Sequence, residues 1–372
     1  MPLHRAMIPF VDLRSQYHLL KAEIDTAIAR VLEHGQFIMG PEVAEMEQAL
    51  ANYTGVGHCI SVASGTEAML IALMALGIGP GDEVITPAFT FAATAEVVIL
   101  VGATPVLVDI EPHTCNIDVA LIEAAITERT RAIIPVSLYG QPADMQEINA
   151  LGERYGFAII EDGAQSFGAD YQGRKSCAAS TVGCTSFFPS KPLGCYGDGG
   201  AIFTDNSTLA QACREIRIHG QSGRYHHSRI GVGGRMDTLQ CAIVLAKLKQ
   251  FEREIARRTA IGDRYNCLVS EHGIERVSQK QDRTSVFAQY TIFVDDRAAV
   301  QGALEAAGIP TAVHYPTPLS EQPAYRDRCI YGPMPQAALA SQRVLSLPMH
   351  PYLEPSVQDR IVDAVAKAMT GR

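Results

Sequence analysis

The sequence predicts an α/β protein, with a mostly parallel central sheet in a large domain and a smaller C-terminal α/β domain. Its length of 372 residues suits two domains of ordinary size. Between residues 58 and 205, short apolar runs alternate with amphipathic stretches. Repeated strand–helix–strand units of this kind build parallel sheets that helices cover on both faces. After residue 240 the pattern changes to one long amphipathic segment and a shorter α/β pattern.

The strands of the large domain are predicted from apolar runs that end at polar or turn residues. In chain order they are His58–Ala63, Glu83–Thr86, Pro105–Asp109, Ala132–Val136 and Phe157–Ile160. The helices between them are predicted at Glu67–Leu76, Thr90–Val101, Leu121–Ile126 and from an Asp144 cap through Glu153. Parallel sheets bind their ligands beyond the carboxyl ends of the strands, so we expect the functional site there.

The C-terminal part begins with a long amphipathic helix over Leu239–Arg258, which we expect to link the two domains. A strand at Gln289–Val294 and a helix at Val300–Ala307 are predicted after it. The large domain is therefore predicted to span residues 1–250, and the small C-terminal domain residues 251–372.

Composition and charge exclude several classes of protein. The chain carries 31 Lys plus Arg and 40 Asp plus Glu, a net charge of −9. No basic stretch has interleaved aromatic residues, so no nucleic-acid partner is expected. The most apolar stretch, Ala95–Val108, is too short to span a membrane. Residues 1–25 lack the apolar core of a signal peptide.

The cysteines agree with an intracellular location. They are 9 in number, scattered along the chain and never arranged as C-x-x-C. This is typical of a reduced cytosolic protein that has neither a disulfide framework nor a zinc site. His226-His227 has no third ligand at a useful spacing, so no metal is expected. We predict a cytoplasmic protein without a membrane partner.

Ser64-Gly65-Thr66 lies where the first predicted strand gives way to a helix. A helix N-terminus offers unpaired N–H groups and a partial positive charge, so this turn suits an anion such as phosphate. Gly65 lets the backbone approach a ligand closely, and Thr66 can donate its hydroxyl. The alternative is a plain helix cap formed by Ser64 or Thr66.

A second candidate corner follows the strand Phe157–Ile160, where the chain reads Glu161-Asp162-Gly163-Ala164-Gln165. Strand alternation puts Glu161 and Asp162 on opposite faces, so only one of them should face the site. A buried carboxylate needs a cationic or hydrogen-bonding partner, and a protonated pyridine nitrogen is such a partner. The alternative is an Asp that caps a helix in a turn.

The loop around Lys191 is the most informative stretch. Phe188, Pro189 and Leu193 surround this lysine, and no acid is adjacent to it. A desolvated lysine has a lowered pKa and becomes a nucleophile toward an aldehyde. Ser186, earlier in the same stretch, is placed to bind a phosphate. The alternative is a surface lysine in a loop rich in Pro and Gly.

The motifs occur in a fixed order along the chain. They are Gly65-Thr66, Phe91, Asp162-x-x-Gln165, Ser186-x4-Lys191 and Gly197-x-Gly199-Gly200. In order and spacing they resemble the fold-type I, pyridoxal-phosphate-dependent sugar aminotransferases known as the DegT/DnrJ/EryC1/StrS family. The resemblance begins at Asp12-Leu13 and reaches His314-Tyr315-Pro316, so it covers nearly the whole chain.

The resemblance implies a role for each matching residue. Lys191 is implied as the catalytic residue, the lysine that binds pyridoxal 5′-phosphate covalently and later moves the proton. The other implied cofactor-binding residues are Asp162 at the pyridine nitrogen, Gln165 near the ring hydroxyl, Phe91 stacked on the ring, and Gly65, Thr66 and Ser186 at the phosphate. A homodimer with shared active sites is implied as well.

The segment Gly231–Arg235 departs from the family's pattern. The family usually has an Asn where this chain has Gly233, and that Asn reaches the phosphate bound in the neighbouring subunit. Either a backbone N–H at Gly233 replaces it, or the phosphate is held less tightly. Some relatives carry His in place of the lysine and catalyse dehydration, so the presence of Lys191 favours transamination.

Several segments are similar to a subgroup that acts on UDP-2-acetamido-2-deoxy-3-oxo-glucuronic acid, usually with glutamate as donor, for bacterial surface polysaccharide such as O-antigen. They are Ser186–Gly200, His219–His227, Thr311–Leu319 and Ser346–Leu353. Arg235 is the candidate bidentate clamp for the substrate carboxylate, and an ion pair at a subunit interface is its alternative. His314 and Tyr315 are candidate contacts for the sugar.

Other functions stay open on the sequence alone. The chain can act on a 4-keto nucleotide sugar instead, or hold the cofactor as a non-catalytic regulator. A nicotinamide-dependent oxidoreductase is disfavoured, because no G-x-G-x-x-G follows a strand: the glycines of Gly77–Gly81 precede one and lack the spacing.

Overall fold

The computed structural model describes residues 8–370. Residues 1–7, which belong to the segment expected to lack a signal peptide, and residues 371–372 lie outside the described part. The strands are β1 His58–Val62, β2 Glu83–Pro87, β3 Thr104–Val108, β4 Thr130–Ile133, β5 Ala158–Asp162, β6 Asp170–Tyr171, β7 Arg174–Lys175, β8 Val182–Ser186, β9 Gly200–Thr204, β10 Gln221–Gly223, β11 His226–His227, β12 Tyr290–Phe293 and β13 Val344–Leu347. The helices are α1 Leu13–Leu19, α2 Lys21–His34, α3 Pro41–Thr54, α4 Gly65–Ala75, α5 Ala93–Leu100, α6 Val119–Ala125, α7 Met145–Tyr155, α8 Ser207–Arg217, α9 Thr238–Glu271, α10 Arg297–Ala306, α11 Pro335–Arg343 and α12 Pro355–Thr370.

A 7-stranded sheet organises the large domain, in the order β1-β9-β8-β5-β4-β2-β3. β9 runs antiparallel to both of its neighbours, β1 and β8, and the other neighbouring strands pair in parallel. Asp162 at the end of β5 pairs with Cys184 near the end of β8. The carboxyl ends of these two central strands therefore meet at one edge, and the predicted α/β fold with a mostly parallel sheet is confirmed.

Helices cover both faces of this sheet because successive strand residues point to opposite sides. Ile60 and Val84 pack against α4, α5 and α8 on one side. On the other side, Cys59 packs against α3 and α9, and Ile85 packs against α6 and α7. The side-chain alternation of a single strand thus builds separate apolar layers above and below the sheet.

Two details differ from the sequence-based expectation. β8 has no apolar run, because Gly183 and Thr185 interrupt it, yet both residues are buried by neighbouring strands. Asp144 precedes α7 as predicted, but its carboxylate does not cap the helix. It accepts hydrogen bonds from Lys280 at 2.7 Å and Arg283 at 2.7 Å instead. The predicted cap was wrong because charged donors from a distant segment bind that carboxylate more strongly than a backbone N–H does.

α9 is 34 residues long and extends well beyond the predicted helix. Its first half contributes Val244 and Phe251 to the large-domain core. Its second half contributes Tyr265 and Val269 to a separate core around the C-terminal segment. The helix is therefore common to both domains, and the predicted boundary after residue 250 falls inside it. The division at that residue stays a prediction.

The small domain is built on the antiparallel pair of β12 and β13, in which Tyr290 pairs with Leu347. α10 and α12 pack on this pair through apolar residues such as Leu304 and Ile361. An isolated bridge between Ala312 and Ser346 brings the following segment alongside β13. Within residues 8–370, no helix combines the length and the apolar character that a membrane crossing requires.

Candidate active site

A cavity of about 450 Å³ opens at the carboxyl ends of β5 and β8. It lies where parallel sheets bind their ligands, as the sequence predicts. The candidate residues that line it are Gly65, Thr66, Phe91, Asp162, Gln165, Ser186, Lys191, His314 and Tyr315. Every candidate site residue except Arg235 is thus brought to one cavity, from segments far apart in the chain.

Lys191 lies in the loop between β8 and β9, residues 187–199, which we call the lysine loop. Its backbone N–H donates to the carbonyl oxygen of Phe188 at 2.9 Å, which closes a tight turn. Its side chain enters the cavity, where desolvation lowers the pKa of the amine, although the nearby Asp162 carboxylate opposes this shift. Lys191 is therefore a buried amine with an increased tendency to be neutral, which is the form that acts as nucleophile or base.

Asp162 ends β5 and presents a buried carboxylate to the same cavity. Its Oδ1 accepts from the Ala164 N–H at 3.1 Å and its Oδ2 from the Thr94 hydroxyl at 3.3 Å. Burial raises the pKa of Asp162, and these hydrogen bonds and Lys191 oppose the rise. A cation placed against this carboxylate would restore its charged form.

Glu161, the neighbour of Asp162, points to the other face of the sheet. Its carboxylate accepts from the Ser176 hydroxyl at 2.7 Å and from the Cys177 N–H at 2.8 Å. The Ser137 hydroxyl donates to it at 3.1 Å. This confirms the expectation from strand alternation that only one of the two acids faces the site.

The amide of Gln165 is held in one orientation. Its Oε1 accepts from the backbone N–H of Tyr139 at 2.9 Å. Its Nε2 therefore faces the hydroxyl of Tyr315, at 3.2 Å. Burial raises the pKa of Tyr315, so this phenol stays protonated. Gln165 from the large domain and Tyr315 from the small domain together form one wall of the cavity.

The N-terminus of α4 forms another part of the cavity wall. The Ser64 hydroxyl caps the helix by accepting from the Glu67 N–H at 3.0 Å, so the plain-cap alternative holds for Ser64. Gly65 packs so closely on Ser186 that an added Cβ would lie 2.8 Å from the Ser186 Cβ. Gly65, Thr66 and Ser186 all line the cavity, and the N–H groups of a helix N-terminus beside two hydroxyls suit a phosphate.

The small domain contributes a polar rim. His314 lies with its Nδ1 3.2 Å from the Ser346 hydroxyl, and burial together with Lys191 lowers the pKa of its imidazole. The ring of Phe91, 56% exposed, lies 6.1 Å from that of Tyr315. An aromatic face at the mouth of the cavity is thus available to cover a flat ligand.

Arg235 is the candidate residue that the structure does not bring into the cavity. Its guanidinium takes part in no hydrogen bond or ion pair among residues 8–370. Gly233, nearby, is exposed, and an added Cβ there would lie 3.2 Å from the imidazole of His219. The same described residues contain no group of three or more His, Cys, Asp or Glu side chains arranged to hold a metal ion.

Sequence reasoning missed other residues of the cavity wall. Asp198 and Gln289 line it, and the Oε1 of Gln289 is buried without a hydrogen-bond partner. Thr94 was not predicted from the sequence either, although its hydroxyl donates a hydrogen bond to the Asp162 carboxylate. Gln289 immediately precedes β12, far from every motif along the chain, so no local pattern identifies it. Asp198 lies within the glycine-rich turn and was detectable by its charge.

Comparison with known proteins places this arrangement in a family. Residues 18–366 match the model of the DegT/DnrJ/EryC1/StrS aminotransferase family. The UDP-2-acetamido-2-deoxy-3-oxo-D-glucuronate aminotransferase of Pseudomonas aeruginosa is 58% identical over 348 residues, 94% of this chain and 96% of that protein. The UDP-N-acetyl-3-dehydro-α-D-glucosamine 3-aminotransferase of Acidithiobacillus ferrooxidans is 42% identical over 369 residues, 98% of each.

Among solved structures, NtdA from Bacillus subtilis with bound cofactor PMP superimposes with a TM-score of 0.91 at 32% identity. The match covers 99% of this chain and 86% of that one. The predicted fold-type I architecture is therefore confirmed by an experimental relative, and the extent of the family match leaves only short segments at either end. This chain belongs to the DegT/DnrJ/EryC1/StrS aminotransferase family.

Proposed function

We propose that this chain is a pyridoxal-5′-phosphate-dependent aminotransferase that acts on UDP-2-acetamido-2-deoxy-3-oxo-D-glucuronic acid. The amino group would enter at the 3-keto carbon, with glutamate as donor, in the cytoplasmic biosynthesis of a bacterial surface polysaccharide. The observation that carries the proposal is the pair of buried ionisable groups, Lys191 and Asp162, in one cavity of a chain 58% identical to the Pseudomonas aeruginosa enzyme.

The residues of the cavity fit this cofactor. Burial disfavours the charged forms of both Lys191 and Asp162, so each is suited to a partner that the protein itself does not supply. An aldehyde takes the neutral amine, and a protonated pyridine nitrogen takes the carboxylate. The close packing of Gly65 on Ser186 leaves a narrow cradle at the α4 N-terminus that a phosphate suits.

Each cofactor-binding residue then has a separate task. Lys191 would bind the aldehyde carbon, Asp162 the ring nitrogen, and Thr66 and Ser186 the phosphate. Phe91 would cover the ring and Gln165 would approach its hydroxyl. When bound, pyridoxal phosphate stores the amino group between half-reactions and stabilises negative charge on the carbon that loses a proton.

Lys191 would move that proton. Burial lowers the pKa of its amine, which favours the neutral form that would accept the proton, and the resulting ammonium would return the proton at a different carbon. Asp162 would accept a hydrogen bond from the protonated ring nitrogen, with its own position fixed by the Ala164 N–H and the Thr94 hydroxyl. The two halves of the reaction would follow one another with ping-pong kinetics.

The proposed substrate is highly acidic, because it carries a diphosphate and a carboxylate. The cavity wall of the single chain contains acids and one lysine but no arginine. Arg235, which has no partner within residues 8–370, is the proposed clamp for the carboxylate. We propose that a second copy of the chain presents it, so that a homodimer shares its active sites.

Large apolar side chains exposed on the surface of the single chain support this assembly. Phe188 on the lysine loop is 51% exposed, and Phe37, Ile38 and Ile230 are 48%, 53% and 85% exposed. Large exposed apolar side chains mark surfaces that associate with other proteins. His314 and Tyr315 would contact the sugar from the small domain.

An absorbance experiment tests the proposal. Glutamate added to the cofactor-loaded protein should convert the lysine-bound form to the aminated form, and the 3-keto glucuronate should reverse the change. The 4-keto isomer should leave the spectrum unchanged. A protein whose cofactor spectrum does not change with glutamate would be a regulator instead of an enzyme. Recovery of the lysine-bound spectrum with only the 4-keto sugar would overturn the proposed substrate.

A further inference from the structure

We propose that Tyr139 is a positioning residue that fixes the sugar-binding side of the cavity. It would do so by holding Gln165 of the large domain and His314 of the small domain at the same time. The inference rests on the proposed function, because it concerns the half-reaction in which the keto sugar is bound. Tyr139 itself is not in the cavity wall, so it would act through the residues that it holds.

The contacts of Tyr139 reach both domains. Its backbone N–H donates to the Oε1 of Gln165 at 2.9 Å. Its hydroxyl donates to the backbone carbonyl of His314. Tyr139 is 3% exposed; its bond to Gln165 is buried and its bond to His314 is partly buried. One residue thus links the corner after β5 with the segment that carries His314 and Tyr315.

The bond to Gln165 decides which way that amide faces. Its oxygen is occupied by the Tyr139 N–H, so its amino group must face the Tyr315 hydroxyl, at 3.2 Å. A Gln side chain without such a fixed donor is free to exchange its oxygen and nitrogen ends. The Tyr139 backbone therefore sets the hydrogen bonds available to a ligand along this wall.

The turn that carries Tyr139 is unusual and strongly held. Tyr139 has a φ of 58°, in the left-handed region of backbone conformation that residues other than Gly rarely adopt. The Leu138 N–H donates to the side chain of Asn116 at 2.9 Å. The Gly140 carbonyl accepts from the Val286 N–H at 2.9 Å. Strained backbone of this kind persists where its surroundings over-determine it, and it concentrates at functional sites.

The two half-reactions should depend on Tyr139 to different extents. Lys191, Asp162 and Ser186, which would bind the cofactor, make no hydrogen bond to Tyr139. Within residues 8–370, the hydroxyl of Tyr139 donates only to the carbonyl of His314. Its removal would leave the partly buried His314 carbonyl without this donor and would free the segment that contacts the sugar. The donor half-reaction should remain, whereas sugar binding should weaken.

Tyr139→Phe tests this, because it removes the hydroxyl and keeps the backbone N–H and the ring. We expect KM for the keto sugar to rise about tenfold, the consequence of one lost hydrogen bond that is shielded in part from water. Cofactor absorbance and the single-turnover rate with glutamate should stay within about twofold of wild type. Tyr53→Phe is the matched control, since it removes a hydroxyl bonded to Glu252 far from the cavity.

A double-mutant cycle with His314→Ala separates positioning from general destabilisation. His314→Ala removes the imidazole but keeps the backbone carbonyl to which Tyr139 donates, so the cycle asks whether Tyr139 acts by positioning that side chain. If it does, Tyr139→Phe should add little to the KM effect in the His314→Ala protein. Equal losses in both half-reactions, an unchanged KM, or fully additive effects would overturn the proposal.

Hydrogen exchange provides a readout that does not require the sugar substrate to be known. In cofactor-loaded Tyr139→Phe, amide exchange should accelerate at residues 312–317 and stay unchanged at residues 187–195. Unchanged exchange at 312–317 would exclude the positioning role. Failure of wild-type protein to aminate the 3-keto sugar would instead count against the proposed function, so the two failures are distinguishable.

Discussion

Lys247 in α9 donates a hydrogen bond of 2.7 Å to the carbonyl oxygen of Gly194, in the loop that carries Lys191. Its ammonium also lies 4.1 Å from the ring centroid of Tyr196 in the same loop. The Tyr196 N–H donates in turn to the side chain of Gln240 at 2.8 Å, so α9 holds the loop at successive points. The lysine loop is thus attached to the longest helix through a buried cation.

The buried charge of Lys247 predicts a particular pH dependence of stability. Burial lowers its pKa from 10.5 to about 8, although Glu254 opposes the shift. Below pH 8 the folded and unfolded chains both carry the proton, and the cost of the buried charge is fully present. As the pH rises from 8 toward 10.5, only the unfolded chain keeps the proton, so the free energy of unfolding rises.

Lys247→Met should abolish this rise. Between pH 7.5 and 9.5, we expect the free energy of unfolding of wild type to gain about 2 kcal/mol relative to Lys247→Met. Urea unfolding of the cofactor-loaded proteins at the two pH values measures the difference. Lys249→Met, at an exposed position of the same helix, is the control and should follow wild type. A pH-independent difference between wild type and Lys247→Met would contradict the assignment of the shift to this group.

Glu161 and Asp162 predict contrasting effects from similar substitutions. Asp162→Asn should leave the protein folded but remove the carboxylate that faces the cavity. Removing one partner of a buried ion pair costs about 3–5 kcal/mol. Because Asp162 would pair with the protonated ring nitrogen, we expect transition-state stabilisation to fall by about that amount. Stopped-flow absorbance of the donor half-reaction measures the rate. A rate near that of wild type would show that no cation meets Asp162 during the reaction.

Glu161→Gln is the opposite case. Its carboxylate accepts from Ser137, Ser176 and the Cys177 N–H. An amide cannot accept at both ends, so one buried donor is left unpaired at a cost of about 1–3 kcal/mol. We expect a lower melting temperature and a half-reaction rate close to that of wild type in the folded protein. A large rate defect without a loss of stability would contradict this division of roles.

Lys191→Ala should eliminate turnover while the fold is retained. Loss of a general acid–base group costs about 10²–10⁴-fold in rate, and this residue would also bind the cofactor covalently. Steady-state transamination and circular dichroism measure the two outcomes. Lys249→Ala is a suitable control on the protein surface. Wild-type turnover by Lys191→Ala would refute the assignment of the catalytic residue.

The order of the motifs predicted most of the residues that line the cavity, because many of them lie at the ends of strands. A strand is a short continuous segment, so its end can be located from the sequence alone. Asp162 follows an apolar run directly, and alternation along β5 correctly predicts that only one of Glu161 and Asp162 faces the site. Ser64-Gly65-Thr66 could be found for the same reason, since it joins β1 to α4. These positions need only secondary structure and the parallel-sheet rule.

Other parts required the tertiary structure. β8 has little intrinsic strand character, and its burial between β5 and β9 determines its conformation. Gln289 reaches the cavity only because β12 belongs to a second domain that packs against the first. Tyr139 was not detectable, because its importance lies in a backbone conformation and in contacts with residues distant in sequence.

The narrow contact between Gly65 and Ser186 yields the last prediction. In Gly65→Ala, the added methyl group would lie 2.8 Å from the Ser186 Cβ, so the α4 N-terminus and the end of β8 must separate. Overpacking costs about 1–3 kcal/mol, and here it would displace the donors proposed for the cofactor phosphate. We expect the dissociation constant of pyridoxal phosphate to rise about tenfold or more, measured by fluorescence titration of the apoprotein.

Gly302→Ala in α10 is the matched control, because no atom lies within 4 Å of its added methyl group. That substitution in a helix interior should stabilise the protein by about 0.5–1 kcal/mol and leave cofactor affinity unchanged. If Gly65→Ala binds the cofactor as tightly as Gly302→Ala does, the phosphate does not occupy the α4 N-terminus.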